Sequence, residues 1–218
     1  MFFDNDSEDV TEGTRDEVFH RDGQACWLCG DNTTTVNIAH QIHATAAKHP
    51  FLSFQENGTI SLPNLSHSDN LIPLCPTCHT AYDLAYPEWI MVPDTDTLNH
   101  YIEHEENDYN HRKKDSHPRT LPSIDKTKIK YHPMILHPDF NLGRIRSSCK
   151  WPKQWLGEPT TVIHRVAWHG LLCSNPIRQL KGPSRRQFNS GVLPIYQILL
   201  GNLMRLWARP APGRHGIF

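Results

Sequence analysis

Hydrophobic and polar positions alternate irregularly along this chain, and only a few stretches keep a clear period. Thr14 is placed to cap a short helix over Arg15 to Arg21 that ends at Gly23. Thr33 to Ile38 is β-prone and leads into Ala39-His40. From Gln41 to Asp69 the pattern is mixed and broken by Pro50, Asn57-Gly58 and Pro63, which predicts a long loop with one hairpin at Asn57-Gly58. Asn70 to Leu74 reads as a short extended segment, and a helix follows from about Pro76, where proline suits the first turn, to about Ala85. Trp89 to Val92 predicts a strand stopped by Pro93, then a helix capped by Asp96 and reaching about Lys114, with Glu103, Glu105 and Glu106 on its polar faces. Residues 115–160 hold many prolines and little periodicity, as a linker or extended arm would. The last periodic element spans about 194–208, with Ile195, Leu199, Leu203 and Leu206 on one stripe, as a packing helix requires. No internal repeat is apparent.

At 218 residues, with 38% hydrophobic residues and 17 prolines, the chain is short of core for its length. The expected division is a disordered acidic N-terminus over residues 1–13, a compact domain over 14–114, and a basic, mostly irregular region over 115–218 with its terminal helix. The apolar run near Ile195 to Leu200 is too short to span a bilayer. The N-terminus has neither a basic n-region nor an apolar h-region, so an intracellular protein, nuclear or cytoplasmic, is expected.

Charge changes this picture. Residues 1–110 carry 3 Lys+Arg against 19 Asp+Glu, whereas residues 111–218 carry 19 against 4. Such asymmetry points to a polyanion partner, with Arg112-Lys113-Lys114, Lys126 to Lys130 and Arg185-Arg186 as its cationic clusters. The alternative is that the two halves neutralise each other within one fold. Trp151, Trp155 and Trp168 lie interleaved with the basic residues, but aromatic residues in a chain short of core are more often buried.

The chemistry concentrates on two cysteine pairs, Cys26-Trp27-Leu28-Cys29 and Cys75-Pro76-Thr77-Cys78, separated by 45 residues. Each turn brings two thiolates together, and four soft ligands suit a closed, tetrahedral structural Zn2+ site. Two disulfides, a redox pair or four separate thiols are the alternatives; an intracellular chain with no strand–helix frame around either pair favours zinc. Cys149 and Cys173 have no such company and are read as free thiols. Most of the 15 histidines are scattered, but His79 directly follows the second pair and His40 ends the preceding β-prone stretch.

The order Arg21-Asp22-Gly23, Cys26, Cys29, Ala39-His40, Asn70, Cys75, Cys78, His79 resembles the zinc-stapled HNH endonucleases. The run His79-Thr80-Ala81-Tyr82-Asp83, followed by a strand and Val92-Pro93-Asp94, is similar to fungal HNH-domain proteins in particular. The resemblance covers about residues 15–110. It implies an α+β chain with a ββα-metal core, in which His40 is the general base, Asn70 orients the loops and His79 binds a catalytic Mg2+ or Mn2+. DNA is then the implied substrate and partner, and hydrolysis of its phosphodiester bonds the implied reaction. In active relatives the residue before the base is commonly an Asp or His that also binds the metal. Here it is Ala39, which cannot. Asp83, four residues after His79 and on the same helix face, is the candidate second ligand, and His43 is a weaker one. The alternative function is an impaired HNH-fold zinc module that binds nucleic acid or protein without cleaving.

Overall fold

The computed structural model describes residues 10–42, 48–84, 87–115, 117–136, 149–168 and 192–209. The first helix, α1 (Glu12–Asp22), starts three residues earlier than its sequence pattern implies. Thr11, not Thr14, is the cap: its side chain accepts from the Thr14 N–H, which satisfies one of the free donors of the first turn. Gly23 ends the helix at φ +84°, a left-handed conformation that glycine adopts without a Cβ clash.

Two short strands follow, β1 (Asn37–His40) and β2 (Leu71–Leu74), paired antiparallel with His40 opposite Leu71 and Ala39 opposite Ile72. The helix α3 (Pro76–Asp83) leaves β2 after a single residue, Cys75, which is its N-cap. Between the strands the expected hairpin is absent. Residues 48–56 form a helix instead, α2 (Lys48–Glu56), and Asn57-Gly58 is the turn that closes it. The Gly58 N–H donates to Gln55 O at 3.0 Å and the Thr59 N–H to Phe54 O at 2.9 Å, with Gly58 at φ +64°. This paired closure satisfies the last carbonyls of a helix, so the same Asn-Gly signal serves a different turn. A short 3-10 turn, Ser68–Asn70, delivers the chain to β2.

Beyond α3, β3 (Trp89–Pro93) precedes α4 (Thr95–Lys114). The cap of α4 is Asp94, two residues before the expected Asp96; its Oδ1 accepts from the Thr97 N–H at 2.9 Å. Residues 115–160 are not a simple linker. They contain β4 (Tyr131–Ile135), which pairs antiparallel with all of β3. Pro133 lies within β4, as a two-stranded sheet allows because each strand has an open edge. After α5 (Pro159–Trp168) comes α6 (Val192–Trp207).

One core cluster gathers Cys26, Leu28, Ala39, Ile72 and Leu74 from the first half with Ile129, Tyr131, Trp155 and Val162 from the second. Another packs Ile90, Val92, Leu98 and Tyr101 against Ile163, Leu200 and Leu203. The described part of the basic half is thus structured and built into both cores. The buried stripe of α6 is Tyr196, Leu200, Leu203 and Leu206: the expected Leu203 and Leu206 are buried, but Ile195 is 49% exposed and Leu199 only half-buried, their places taken by Tyr196 and Leu200. Glu105 also departs from expectation. It is buried, takes a hydrogen bond from Trp207 Nε1 at 3.1 Å and faces Arg119 at 3.4 Å. Burial raises its carboxyl pKa, and Arg119 opposes that rise. Among the described residues, no helix is long and apolar enough to cross a membrane.

Candidate functional site

The four cysteines come together at the junction of the first knuckle, β2 and α3. In the knuckle, the Gly30 N–H donates to Cys26 O and the Cys26 N–H to Asp31 O, both at 2.8 Å, so the backbone closes tightly around two thiols. The Trp27 N–H reaches Pro73 O at 2.8 Å and fastens the knuckle to β2. Cys75 and Cys78 sit at the start of α3, one turn apart. All four are buried and free, and their sulfurs lie within 4.8 Å of one another. Cys29 Sγ and Cys75 Sγ are 3.8 Å apart. Zinc–sulfur bonds of about 2.3 Å in a tetrahedron place sulfurs about 3.8 Å apart, so a structural metal such as zinc fits this donor set.

The ionisation of the thiols agrees with that fit. A hydrogen bond from Cys78 draws the Cys26 thiol down to about 5. Burial, reinforced by the charge on Cys26, pushes Cys29 up to about 12. Cys78 is raised further still, first by its hydrogen bond to Cys26 and then by burial. The protein alone therefore favours the Cys26 thiolate and resists those of Cys29 and Cys78, and a dication in their midst would remove that resistance. The described fifth cysteine, Cys149, is half-buried near the knuckle, where a Cβ added at Gly30 would stand 3.1 Å from its Sγ. Cys173 lies outside the described residues.

Beside this cluster the sequence-predicted polar residues take defined places. His40 ends β1, half-buried. Asn70 is completely buried and ties two loops together: its Oδ1 accepts from the Ile42 N–H at 2.8 Å, while its Nδ2 donates to Ile42 O at 3.1 Å and Leu65 O at 2.7 Å. His79 and Asp83 meet on one face of α3, with His79 Nε2 2.8 Å from Asp83 Oδ2. His43 lies outside the described residues. Ala39 is fully buried in the core cluster, facing away from solvent. An acidic residue there would place a carboxylate among apolar side chains rather than restore a ligand.

Arg165, which the sequence did not single out, completes the arrangement together with Gln41 and Tyr82. Arg165, on α5, donates from Nη1 to His40 O at 3.0 Å and Gln41 O at 3.1 Å. Its Nη2 donates to Tyr82 O and, at 3.1 Å, to Asp83 Oδ1. The guanidinium lies 3.6 Å from the centroid of the Tyr82 ring, and the Tyr82 hydroxyl donates to Gln41 Oε1. One guanidinium thus touches both the end of β1 and the end of α3. No local signal marks Arg165, because 82 residues separate it from Asp83.

The charge asymmetry closes partly on itself. Lys126 pairs with Asp69 at 2.8 Å, Arg119 with Glu105 at 3.4 Å and Arg165 with Asp83 at 3.1 Å, each joining the basic half to the acidic one. Arg112 is buried against Asp108 at 2.6 Å. Arg185 and Arg186 lie outside the described residues. Trp155 is buried in the core, and Trp151 stands edge-on to Trp27 with ring centroids 4.9 Å apart, so these two rings serve packing. The Trp168 side chain is outside the described set. Comparison with protein-family models, curated proteins and solved structures finds no match for this chain.

Proposed function

We propose that this protein is a metal-dependent endonuclease of the HNH type, hydrolysing phosphodiester bonds in DNA. The observation that carries the reading is the convergence of four residues on one antiparallel pair and its following helix. His40 ends the first strand, Asn70 fixes the loops between the strands, and His79 with Asp83 lies on the helix that Cys75 and Cys78 anchor. This order and placement support a ββα-metal core clamped by zinc.

The donor pair suits a hard dication. Two adjacent octahedral positions with bonds of about 2.0–2.1 Å lie about 2.9 Å apart, near the 2.8 Å between His79 Nε2 and Asp83 Oδ2. Mg2+ or Mn2+ bound there would supply neutralisation of the charge that develops on a scissile phosphate. The protein's own share is positional and acid–base. An imidazole, with an ordinary pKa of about 6.5, accepts a proton near neutral pH, and His40 takes this part toward an attacking water. Asn70 holds the residue after Gln41 to the loop around Leu65, which fixes how β1 ends and so where His40 stands.

The test is plasmid cleavage by purified protein with Mg2+ or Mn2+. Wild type is expected to nick supercoiled DNA, and His40→Ala to lose about 10²- to 10⁴-fold in rate. Cleavage that survives His40→Ala would remove the proposed base. A second reading, an HNH-fold zinc module that binds nucleic acid or protein without cleaving, is favoured by the burial of Ala39, which leaves one fewer metal ligand. DNA retention without cleavage in either metal would select it.

A further inference from the structure

Asp83 is held from outside the strand–helix unit. Its Oδ2 faces His79, and its Oδ1 accepts from Arg165, a residue of α5 in the other half of the chain. The same guanidinium donates to the backbone carbonyls of His40, Gln41 and Tyr82, so a single planar group spans both elements that carry the proposed site. Its side chain is 3% exposed, and the Tyr82 ring beneath it is itself fixed through Gln41. In such a dry place water does not substitute for a missing donor.

We infer that Arg165 is a positioning residue: it sets Asp83 against His79 and locks the end of α3 to the residues at the end of β1. This role rests on the reading of His79 and Asp83 as a divalent-cation centre. Geometry explains why the residue is arginine. Four acceptors lie around one plane, and a guanidinium offers five N–H donors in a rigid fork. A lysine carries the same charge on one nitrogen with three donors and cannot span them. Arg165 has no part in the chemistry itself, since Nη1 and Nη2 are both engaged with these protein acceptors and the side chain is buried. It acts by holding Asp83 Oδ1, while Oδ2 faces His79.

The experiment measures Mn2+ binding to the full-length, zinc-loaded chain by electron paramagnetic resonance, with zinc content as the control for folding. Wild type is expected to bind about one Mn2+ beyond its zinc. Arg165→Lys and Arg165→Gln are expected to weaken that affinity by about 10–100-fold while keeping the zinc. Asp83→Asn is expected to weaken it comparably, and Arg165→Lys added to Asp83→Asn to cost nothing more, because the two act as one unit. Full additivity in the double variant, or unchanged affinity in Arg165→Lys, would overturn the positioning role and leave the metal centre standing. Loss of zinc in the Arg165 variants would show a structural role and overturn the positioning one, as would unchanged Mn2+ affinity in Asp83→Asn. A wild type that binds no Mn2+ overturns the metal-centre reading and the role of Arg165 with it.

Discussion

Asn70 shows how much a single buried amide can fix. Its three hydrogen bonds run to backbone groups of Ile42 and Leu65, and none of these groups lies in a strand that would satisfy it otherwise. Asn70→Ala should therefore strand buried donors and acceptors, at about 1–3 kcal/mol for each group left unsatisfied. Asn70→Asp keeps the acceptor for the Ile42 N–H but turns a carboxylate oxygen toward two carbonyls, so it should destabilise as well. A fall in the urea midpoint for both variants is the expected result. His164 offers a second test at this scale. It is stacked between Phe54 and Trp207, at 3.9 and 4.2 Å between ring centroids, and burial lowers its pKa to about 3. The unfolded chain takes up a proton on this histidine near its ordinary 6.5, and the native protein resists it. Stability is therefore lost as pH falls from about 6.5 toward about 3. His164→Phe keeps a ring in the stack and should flatten that part of the stability–pH curve. The loop-tying role of Asn70 is the one its place in the sequence implied, whereas that of His164 is not legible in the residue alone: a buried, neutral histidine and a solvated one have the same letter.

At the scale of elements, the cysteine pairs hold together pieces too short to stand by themselves. The strands β1 and β2 are four residues each and α3 is eight, lengths at which neither a two-stranded ladder nor a helix is stable alone in water. A metal held by the four thiols would therefore act as a folding ligand. Purified protein is expected to carry about one tightly bound zinc per chain, and chelation or Cys75→Ser should lower the thermal midpoint and loosen the segment from residue 26 to residue 83. Amide exchange along β2 and α3 is the direct measurement. A folded chain without metal would count against the staple. Element existence was readable where a short-range rule applied, as for Pro76 after the helix N-cap and Gly23 after a helix; Pro93, expected to stop its strand, is instead the last residue of β3 and pairs with Tyr131. The errors were equally local in origin. Asn57-Gly58 satisfies both a hairpin turn and a helix end, and only the packing of Phe51 with Ile60, Leu62 and Leu65 favours the helix. The strand β4 was hidden by Pro133, which an open-edged strand tolerates.

Across the molecule, the described residues of the two halves of opposite charge share both hydrophobic cores. Ile129, Tyr131 and Trp155 complete the core around the cysteines, and Ile163 and Leu203 complete the core around β3. A chain ending after Lys114 would expose both cores and one edge of β3, and is expected to aggregate or to purify without zinc. Recovery of a soluble, zinc-containing fragment would contradict this. Several cations of the basic half are already paired with acids of the other half, so fewer are available to phosphates than the count of Lys and Arg suggests. If DNA is bound, the slope of log affinity against log salt should reflect contacts well below the 19 basic residues of that half. The sequence by itself determined the four-thiol centre, the candidates His40, Asn70, His79 and Asp83, and most helices and strands between them. Each of these is written in spacing, caps and breakers that act over a few residues. Only the tertiary structure decided that Glu105 is buried, that Ala39 belongs to the core, that β4 pairs with β3, and that Arg165 reaches Asp83 across the chain. Burial and long-range pairing depend on which surfaces meet when the chain folds, and no local period encodes that.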